Sequence, residues 1–557
     1  MTLRQRLSSG AAGACGWLLV AATAVSAAGV PPSPGLLRSL SAFERDLLEL
    51  DGALSGGGPA ATNATFSLGD PALRPPLPSA APTSAEMALQ QQQRLLSLPQ
   101  ALAVAVANNP ELAERRARIA EMRGLKRSVQ GRFWPQLGLN LGGAFAQRSD
   151  TNLALEGNSA VYPAGSPFLV EQGGWQRIQT NIGTAWGALA LDWELISFER
   201  GAALAEQDQR LTAALQQYGD ALRQLQLHVS EAYYNLQLAD QLQRIRAAVV
   251  RNDALVRDQV AALKESGLVP RLDLLRAEAA LQQSRFRLEQ ADAMRLSRRQ
   301  ALTNLLNVAF DTLLLAQTRV ALQPAWPLPL DATLVVGLKA NPALDQLAAE
   351  RQALLRQAER RSSQLLPSLQ LFAAGGGGAA QLTKPVIDLN GCCGASNIRQ
   401  VANQNADWVA GLRLHWRFFD AGVSSGEAAA SRAAAEAVLQ RLARQRNQIR
   451  QELETAFYDY RASLSQLAAA EASYRASREA FRDARARYQL GLANYTDVSE
   501  TITLLTRSME GIAESTTLAN LSYARMLRQL QPVPDQPQPE ITLPITLPAS
   551  LVMQPQP

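Results

Sequence analysis

The sequence predicts a mainly α-helical chain with inserted β-strands, laid out as two tandem repeats of helix, strand, strand and long helical hairpin. Two observations carry this. Short motifs return in the same order at near-constant spacing, and inside each copy the apolar period changes from helical to alternating and back. A third observation, a shortage of reactive side chains, separates the chain from enzymes. With two His, three Cys and 18% charged residues in 557, it has neither the thiols of a disulfide scaffold nor the ligands of a zinc-binding class.

The duplication is read from five matches. Leu98-Pro99-Gln100-Ala101-Leu102 leading to Ala107-Asn108-Asn109-Pro110 is echoed by Leu330-Asp331-Ala332-Thr333-Leu334 leading to Ala340-Asn341-Pro342, 232 residues later. At the same shift Phe133-Trp134-Pro135-Gln136-Leu137 matches Leu365-Leu366-Pro367-Ser368-Leu369. Then Leu191-Asp192-Trp193 matches Leu414-His415-Trp416, Ala232-Tyr233-Tyr234 matches Ala456-Phe457-Tyr458, and Gly267-Leu268 with Asp273 matches Gly491-Leu492 with Asp497, at shifts of 223 or 224. The repeats are placed at 94–320 and 321–531, one loop differing by about nine residues.

The ends read differently. Residues 1–28 look like an export signal: Arg4 and Arg6, an apolar stretch from Ala14 to Val25, then Ser26-Ala27-Ala28. Cys15 precedes that stretch rather than closing it, so it is expected to leave with the signal. Residues 29–93 are rich in Pro, Gly and Gln and are expected to form a disordered lead-in, apart from a short helix at Leu36–Leu50; 532–557 form a Pro-rich tail. No later run reaches about 18 apolar residues, so no transmembrane helix is expected. The mature chain is then either soluble outside the cytoplasm or a β-barrel.

In the first copy a helical pattern from Asn109 to Gln130 stops at Pro135. Strands follow at about 136–147 and 178–193, separated by a Gly/Ser/Asn/Pro loop, and then helices at about 202–265 and 271–315. In the second, strands are expected at 368–374 and 407–419 around a Gly-rich loop at 375–405, with helices at 424–490 and 495–530. Leu211, Leu215, Tyr218, Leu222, Leu225, Val229, Ala232 and Leu236 step by four and three, a coiled-coil seam. Each first hairpin helix could reach roughly 95–100 Å at 1.5 Å per residue. Each ends at a glycine, Gly267 or Gly491, followed by an Asp able to cap the next helix.

The segment 408–419 is two-faced. Trp408, Ala410, Leu412, Leu414, Trp416 and Phe418 alternate with Val409, Gly411, Arg413, His415, Arg417 and Phe419. Such a strand is long enough to cross a bilayer at a tilt, with the basic face toward water; an ordinary half-buried sheet alternates in the same way.

Reactive constellations are few. His228 and His415 lie in different elements, Cys392-Cys393 are adjacent in a loop, and Gly375 to Gly378 lack the Lys-Ser/Thr of a phosphate cradle. No catalytic, cofactor or metal site is expected. The formal charge is +5, with Arg and Glu/Asp alternating and aromatics at 6%, which gives no basic stripe for nucleic acid.

Those motifs resemble the TolC family of outer-membrane efflux channels over nearly all of 94–530. The residues that carry it are Pro110 and Pro342, Pro135 and Pro367, Trp416-Phe418-Phe419-Asp420-Ala421-Gly422, and the tips Gly267-Leu268 with Asp273-Leu274-Leu275 and Tyr488-Gln489-Leu490-Gly491-Leu492 with Asp497-Val498. The resemblance implies a homotrimer in the outer membrane of a Gram-negative-type bacterium. Four strands from each chain would close a 12-stranded, lipid-embedded β-barrel, continuous with a periplasmic α-helical barrel. It implies an exit duct of a tripartite efflux or type I secretion system, passive, and fed by an inner-membrane transporter of RND or ABC type through a periplasmic adaptor. Physics agrees: four strands alone leave open edges, costly in hydrocarbon.

By position, the resemblance places a periplasmic gate at Asp273, Tyr488, Asp497 and Glu500, adaptor docking at Gly267, Leu268, Gly491 and Leu492, and the barrel lumen at Arg413, His415 and Arg417. Simple N-capping is the alternative role for Asp273 and Asp497. The chain departs from the best-known members at Ala493, where a gate-locking Arg would stand. The competing function is a periplasmic coiled-coil scaffold or surface-attachment protein without a pore.

Overall fold

A computed structural model describes residues 45, 48, 70, 73, 75, 92–153, 175–267, 269–308, 312–339, 341–389, 396–397, 401–490, 492–493, 495–534, 536, 543–548 and 551. The export signal, Cys15, Cys392, Cys393, Leu268 and Gly491 lie outside the described residues. In chain order the elements are β1 (Gln92–Leu96), α1 (Leu98–Asn108), α2 (Pro110–Gly131), β2 (Gln136–Leu153), β3 (Trp175–Ile196), α3 (Phe198–Glu265), α4 (Arg271–Leu306) and β4 (Thr312–Ala316). The second copy continues with α5 (Leu330–Lys339), α6 (Pro342–Ser363), β5 (Ser368–Leu389), β6 (Ser396–Asn397), β7 (Val401–His415), α7 (Val423–Gln489) and α8 (Tyr495–Leu530).

The repeated Asn-Pro is a helix start in both copies. Asn109 accepts from the Leu112 amide at 2.9 Å, Asn341 accepts from the Ala343 amide at 3.1 Å, and each is followed by a Pro whose missing N–H has no partner to lose. Four of the strands form one antiparallel path, β2–β3–β5–β7, with β6 pairing β5 at Val386 and Ile387. Among the described residues β2 and β7 each pair along one side only.

The chain divides into two compact units, one holding 238–296 and 464–516, the other 59–237, 297–463 and 517–557. The first unit is built from the tip halves of both hairpins. Ile245, Ala248, Val256 and Val260 of α3 pack with Phe481 of α7 and Val498, Ile502, Leu505 and Met509 of α8. In the second unit α1, α2 and the seam of α3 (Tyr218, Leu222, Val229, Tyr233, Leu236) form one core, while Ile449, Leu453 and Leu530 pack with Trp326, Leu334 and Leu547 in another.

Several expectations change. The lead-in does not run to 93: Gln92–Leu96 pairs in parallel with β4, and Asp70 and Leu73 take part, Arg94 Nε donating to Asp70 at 2.8 Å and Leu73 joining the core. The second helix of the first hairpin ends at Leu306, where Asn307 turns with φ 48°, so the residues expected to extend it to 315 include strand β4 instead. The tail is not structureless throughout: Leu543, Ile545 and Leu547 pack on the two cores. Strand β5 runs 22 residues through the glycines assigned to a loop. A Cβ on Gly376 would come 2.3 Å from the Gly187 carbonyl oxygen, so close approach of β3 explains the missing side chain. Strand β7 begins at 401 and ends at His415, leaving Trp416, Phe418 and Phe419 in the connection to α7.

Candidate functional site: a two-faced sheet and the hairpin tips

Register sorts the sheet into two faces. Leu137, Leu139, Leu141 and Phe145 of β2 align with Leu189 and Leu191 of β3, Leu369, Leu371 and Ala373 of β5, and Trp408, Ala410, Leu412 and Leu414 of β7. In one chain the β2 and β7 members and Leu189 are exposed, Trp408 at 82% and Leu141 at 73%, while Leu191, Leu369, Leu371 and Ala373 on the inner strands are half-buried. A contiguous apolar face of this size cannot be left in water; it marks a surface meant for lipid or a partner. The opposite face carries Asn140, Thr184, Asp192, Gln370, Asn405, Asp407, Arg413 and His415, together with Trp186 and Phe372. The Arg413 guanidinium stands 4.9 Å over the Phe372 ring. Arg417 lies past the strand end, exposed, so it is not on the sheet with the other two.

The junctions between strand and helix repeat an interaction the sequence only hinted at. Trp193 Nε1 donates to the Phe133 carbonyl at 3.0 Å, and Trp416 Nε1 donates to the Leu365 carbonyl at 3.1 Å. Each indole thereby ties the strand end to the residue two before the Pro that opens the preceding strand. In the second copy Asp420 Oδ1 and Oδ2 accept from the Gly422 and Ser424 amides at 3.1 and 2.8 Å, while Gly422 sits at φ 89°. Hydrogen bonds from Ser424, then from Gly422, hold the Asp420 carboxyl below its ordinary value.

Arg200 escaped sequence reasoning. It is buried, its guanidinium lies 4.1 Å over the Phe133 ring, and it donates to the carbonyls of Arg132 (3.0 Å) and Glu194 (2.5 Å). Val423 or Ser424 takes its place at the repeat shift, so the duplication gave no signal for it.

At the tips Gly267 adopts φ 72° and donates its amide to Lys264, a left-handed close of α3. Leu492 donates its amide to the Arg487 carbonyl at 2.9 Å and, like Leu490, presents its side chain outward, 75% and 73% exposed. Asp273 and Asp497 are the third residues of α4 and α8, inside the first turn rather than at the capping position before it. There the helix N-terminal dipole favours a carboxylate. Asp273 lies 3.5 Å from Arg276 one turn along, and Asp497 and Glu500 are exposed on successive turns of α8. Tyr488 lies in α7, with its side chain outside the described residues. Among the described residues no cluster of three or more His, Cys, Asp or Glu is placed to hold a metal, and no helix is long and apolar enough to cross a membrane.

The sequence profile of outer membrane efflux proteins matches residues 101–308 and again residues 336–529. The chain belongs to that family. It is a family of transport channels, not of enzymes, and its place is the outer membrane. The fold is shared with solved structures of low identity. The outer-membrane channel OprN is 18% identical with a TM-score of 0.58, covering 82% of this chain and 97% of its own. The outer membrane protein VceC from Vibrio cholerae is 16% identical at TM-score 0.58, covering 78% and 95%. The Campylobacter jejuni CmeC outer membrane channel is 14% identical at 0.58, covering 82% and 94%. No curated protein sequence matches this chain.

Proposed function

We propose that this protein is the passive exit duct of a tripartite efflux or type I secretion system. Three chains would close their β2 and β7 edges on one another into a 12-stranded barrel, with the Leu/Trp face toward lipid and Arg413 and His415 toward the lumen. The observation that carries this reading is an exposed apolar face together with two edge strands that, among the described residues, each pair on one side only. In hydrocarbon both edges must be satisfied by neighbours. The hairpins lead to a periplasmic gate in which Asp273, Tyr488, Asp497 and Glu500 narrow the entrance. A carboxylate ring there draws cations and repels anions. Gly267, Leu268, Gly491 and Leu492 form the adaptor's docking ridge, and an inner-membrane transporter of RND or ABC type supplies cargo and energy.

The test is purification from membranes followed by planar-bilayer conductance. The duct requires detergent for extraction, runs as a trimer after cross-linking, and conducts with a cation preference that falls in Asp497→Ala/Glu500→Ala. Release as a monomer by high salt or carbonate alone would refute it and leave a periplasmic scaffold.

A further inference from the structure

Among the described residues the ion pairs of the second copy's short helix, α6, reach two long helices. Arg360 of α6 donates to Glu206 of α3 at 2.8 Å and lies 3.7 Å from Glu199, while Arg361 and Glu350 reach Glu427 and Arg441 of α7 at 3.1 and 3.2 Å. Asp345, near the start of α6, bears on the buried Arg223 of α3. In the first copy, α2 meets the long helix of its own copy, Lys126 lying 2.7 Å from Asp208 of α3. That is the counterpart of α6 on α7.

The contact of α6 with α3 runs between copies, and repeating it would set an α2 against an α7. The sides it would use are open. Ala349 and Ala353 of α6 are buried, whereas Ala117 and Glu121, 232 residues earlier on α2, are exposed. Glu206 and Arg223 of α3 are buried, whereas Ala430 and Asn447, 224 residues later on α7, are exposed.

The chemistry of the open sides differs from that of the filled ones. Each charged residue named across the α6–α3 contact has an uncharged counterpart at the repeat shift. Ser128 stands for Arg360 and Ala113 for Asp345 on α2; Ala430, Val423 and Asn447 stand for Glu206, Glu199 and Arg223 on α7. Inside one chain a charge such as Glu206, 2% exposed, gains its Arg360 partner as the chain folds. Across two chains it would wait for assembly, and a buried charge left without its partner is strongly destabilising. Small uncharged residues wait in water at little cost and let helices approach to about 8 Å.

We propose that α2 of one chain seats on α7 of a second copy, with Ser128 against Ala430 and Ala113 against Asn447, forming an uncharged joint where the same contact within a chain is ionic. The sheet runs into it in the same way in both cases. Strand β5 lies on β3 with Leu369 opposite Ile196, just where α6 ends and α3 begins, and β2 and β7 adjoin α2 and α7 likewise. The joint rests on the β2–β7 closure proposed above; it adds which helix faces meet and by what chemistry.

The test uses the full-length chain with Cys392→Ser and Cys393→Ser, purified in detergent and treated with a short bifunctional thiol reagent. Light scattering of the detergent complex reads assembly independently. Ser128→Cys combined with Ala430→Cys gives a covalent ladder up to the trimer, with the same yield in low and high salt because no charge pair crosses the joint. Either substitution alone gives no trimer band. Neither does Ser128→Cys with Arg432→Cys, which lies about 200° round α7 from residue 430. Arg360→Cys with Glu206→Cys links within one chain and gives no ladder. A trimer by light scattering with no ladder from the Ser128/Ala430 pair, or with an equal ladder from the Ser128/Arg432 pair, overturns the joint and leaves the duct standing. A monomer by light scattering overturns both.

Discussion

Leu141→Arg tests the orientation of the sheet most directly. Leu141 stands at the middle of the apolar alternation from Leu137 to Phe145, is 73% exposed in one chain, and its Cδ2 covers Gly187 on β3, 2.9 Å from where a Cβ would be. An arginine at the midplane of a lipid-facing strand costs about 2–4 kcal/mol. In a trimer three copies bring this to about 6–12 kcal/mol, comparable with the whole stability of a typical domain. Asn140→Arg, one residue away on the other face, places the same charge in water and costs close to nothing. The assay is folding into lipid vesicles, followed as the oligomer band on unheated gels and as the urea midpoint. Leu141→Arg should lose most of the oligomer and Asn140→Arg should keep it. Equal folding of the two, or a larger loss in Asn140→Arg, would refute the assignment of faces.

Two further substitutions probe the scaffold that seats the sheet and helices. Trp416→Phe keeps an aromatic ring but removes the 3.1 Å bond to the Leu365 carbonyl, and should lower stability by about 1 kcal/mol in denaturant titration. Gly337→Ala drives a methyl to 2.6 Å from Leu453 Cδ1 and 3.4 Å from Leu530 Cδ1, both leucines buried; it should cost about 1–3 kcal/mol, partly recovered by Leu453→Val, as read from thermal unfolding.

The long helices were legible because each repeats its apolar spacing over many turns, and the Asn-Pro starts because two residue types suffice to begin a helix. Strand extents were not. The tract Gly375–Gly378 has no side chains to alternate, so its pairing with β3 and β7 left no trace in the pattern. Strands β1 and β4 were missed for a different reason: each has five residues, and their partnership joins Gln92 to Thr312 across a separation no local window sees. At the sheet, Arg413 and His415 could be assigned to one face from alternation alone, whereas Arg417 could not, because the strand stops at His415. At the tips, the capping position read for Asp273 and Asp497 gives way to a place inside the first turn. The boundary between cap and first turn depends on backbone angles, not on residue type.

The C-terminal segment has a consequence for how the protein is completed. Leu543 and Ile545 join the core around Tyr218 and Leu222, Leu547 joins the one around Leu453, and the Pro544 carbonyl accepts from Gln226 at 2.9 Å, while Tyr523 Oη accepts from the Leu547 amide at 3.1 Å. A strip of chain synthesised after both bundles thus fastens the two. Trimming back beyond Leu543, or fusing a bulky reporter directly at that strip, unfastens both, whereas an extension placed after residue 551 leaves the fastening untouched.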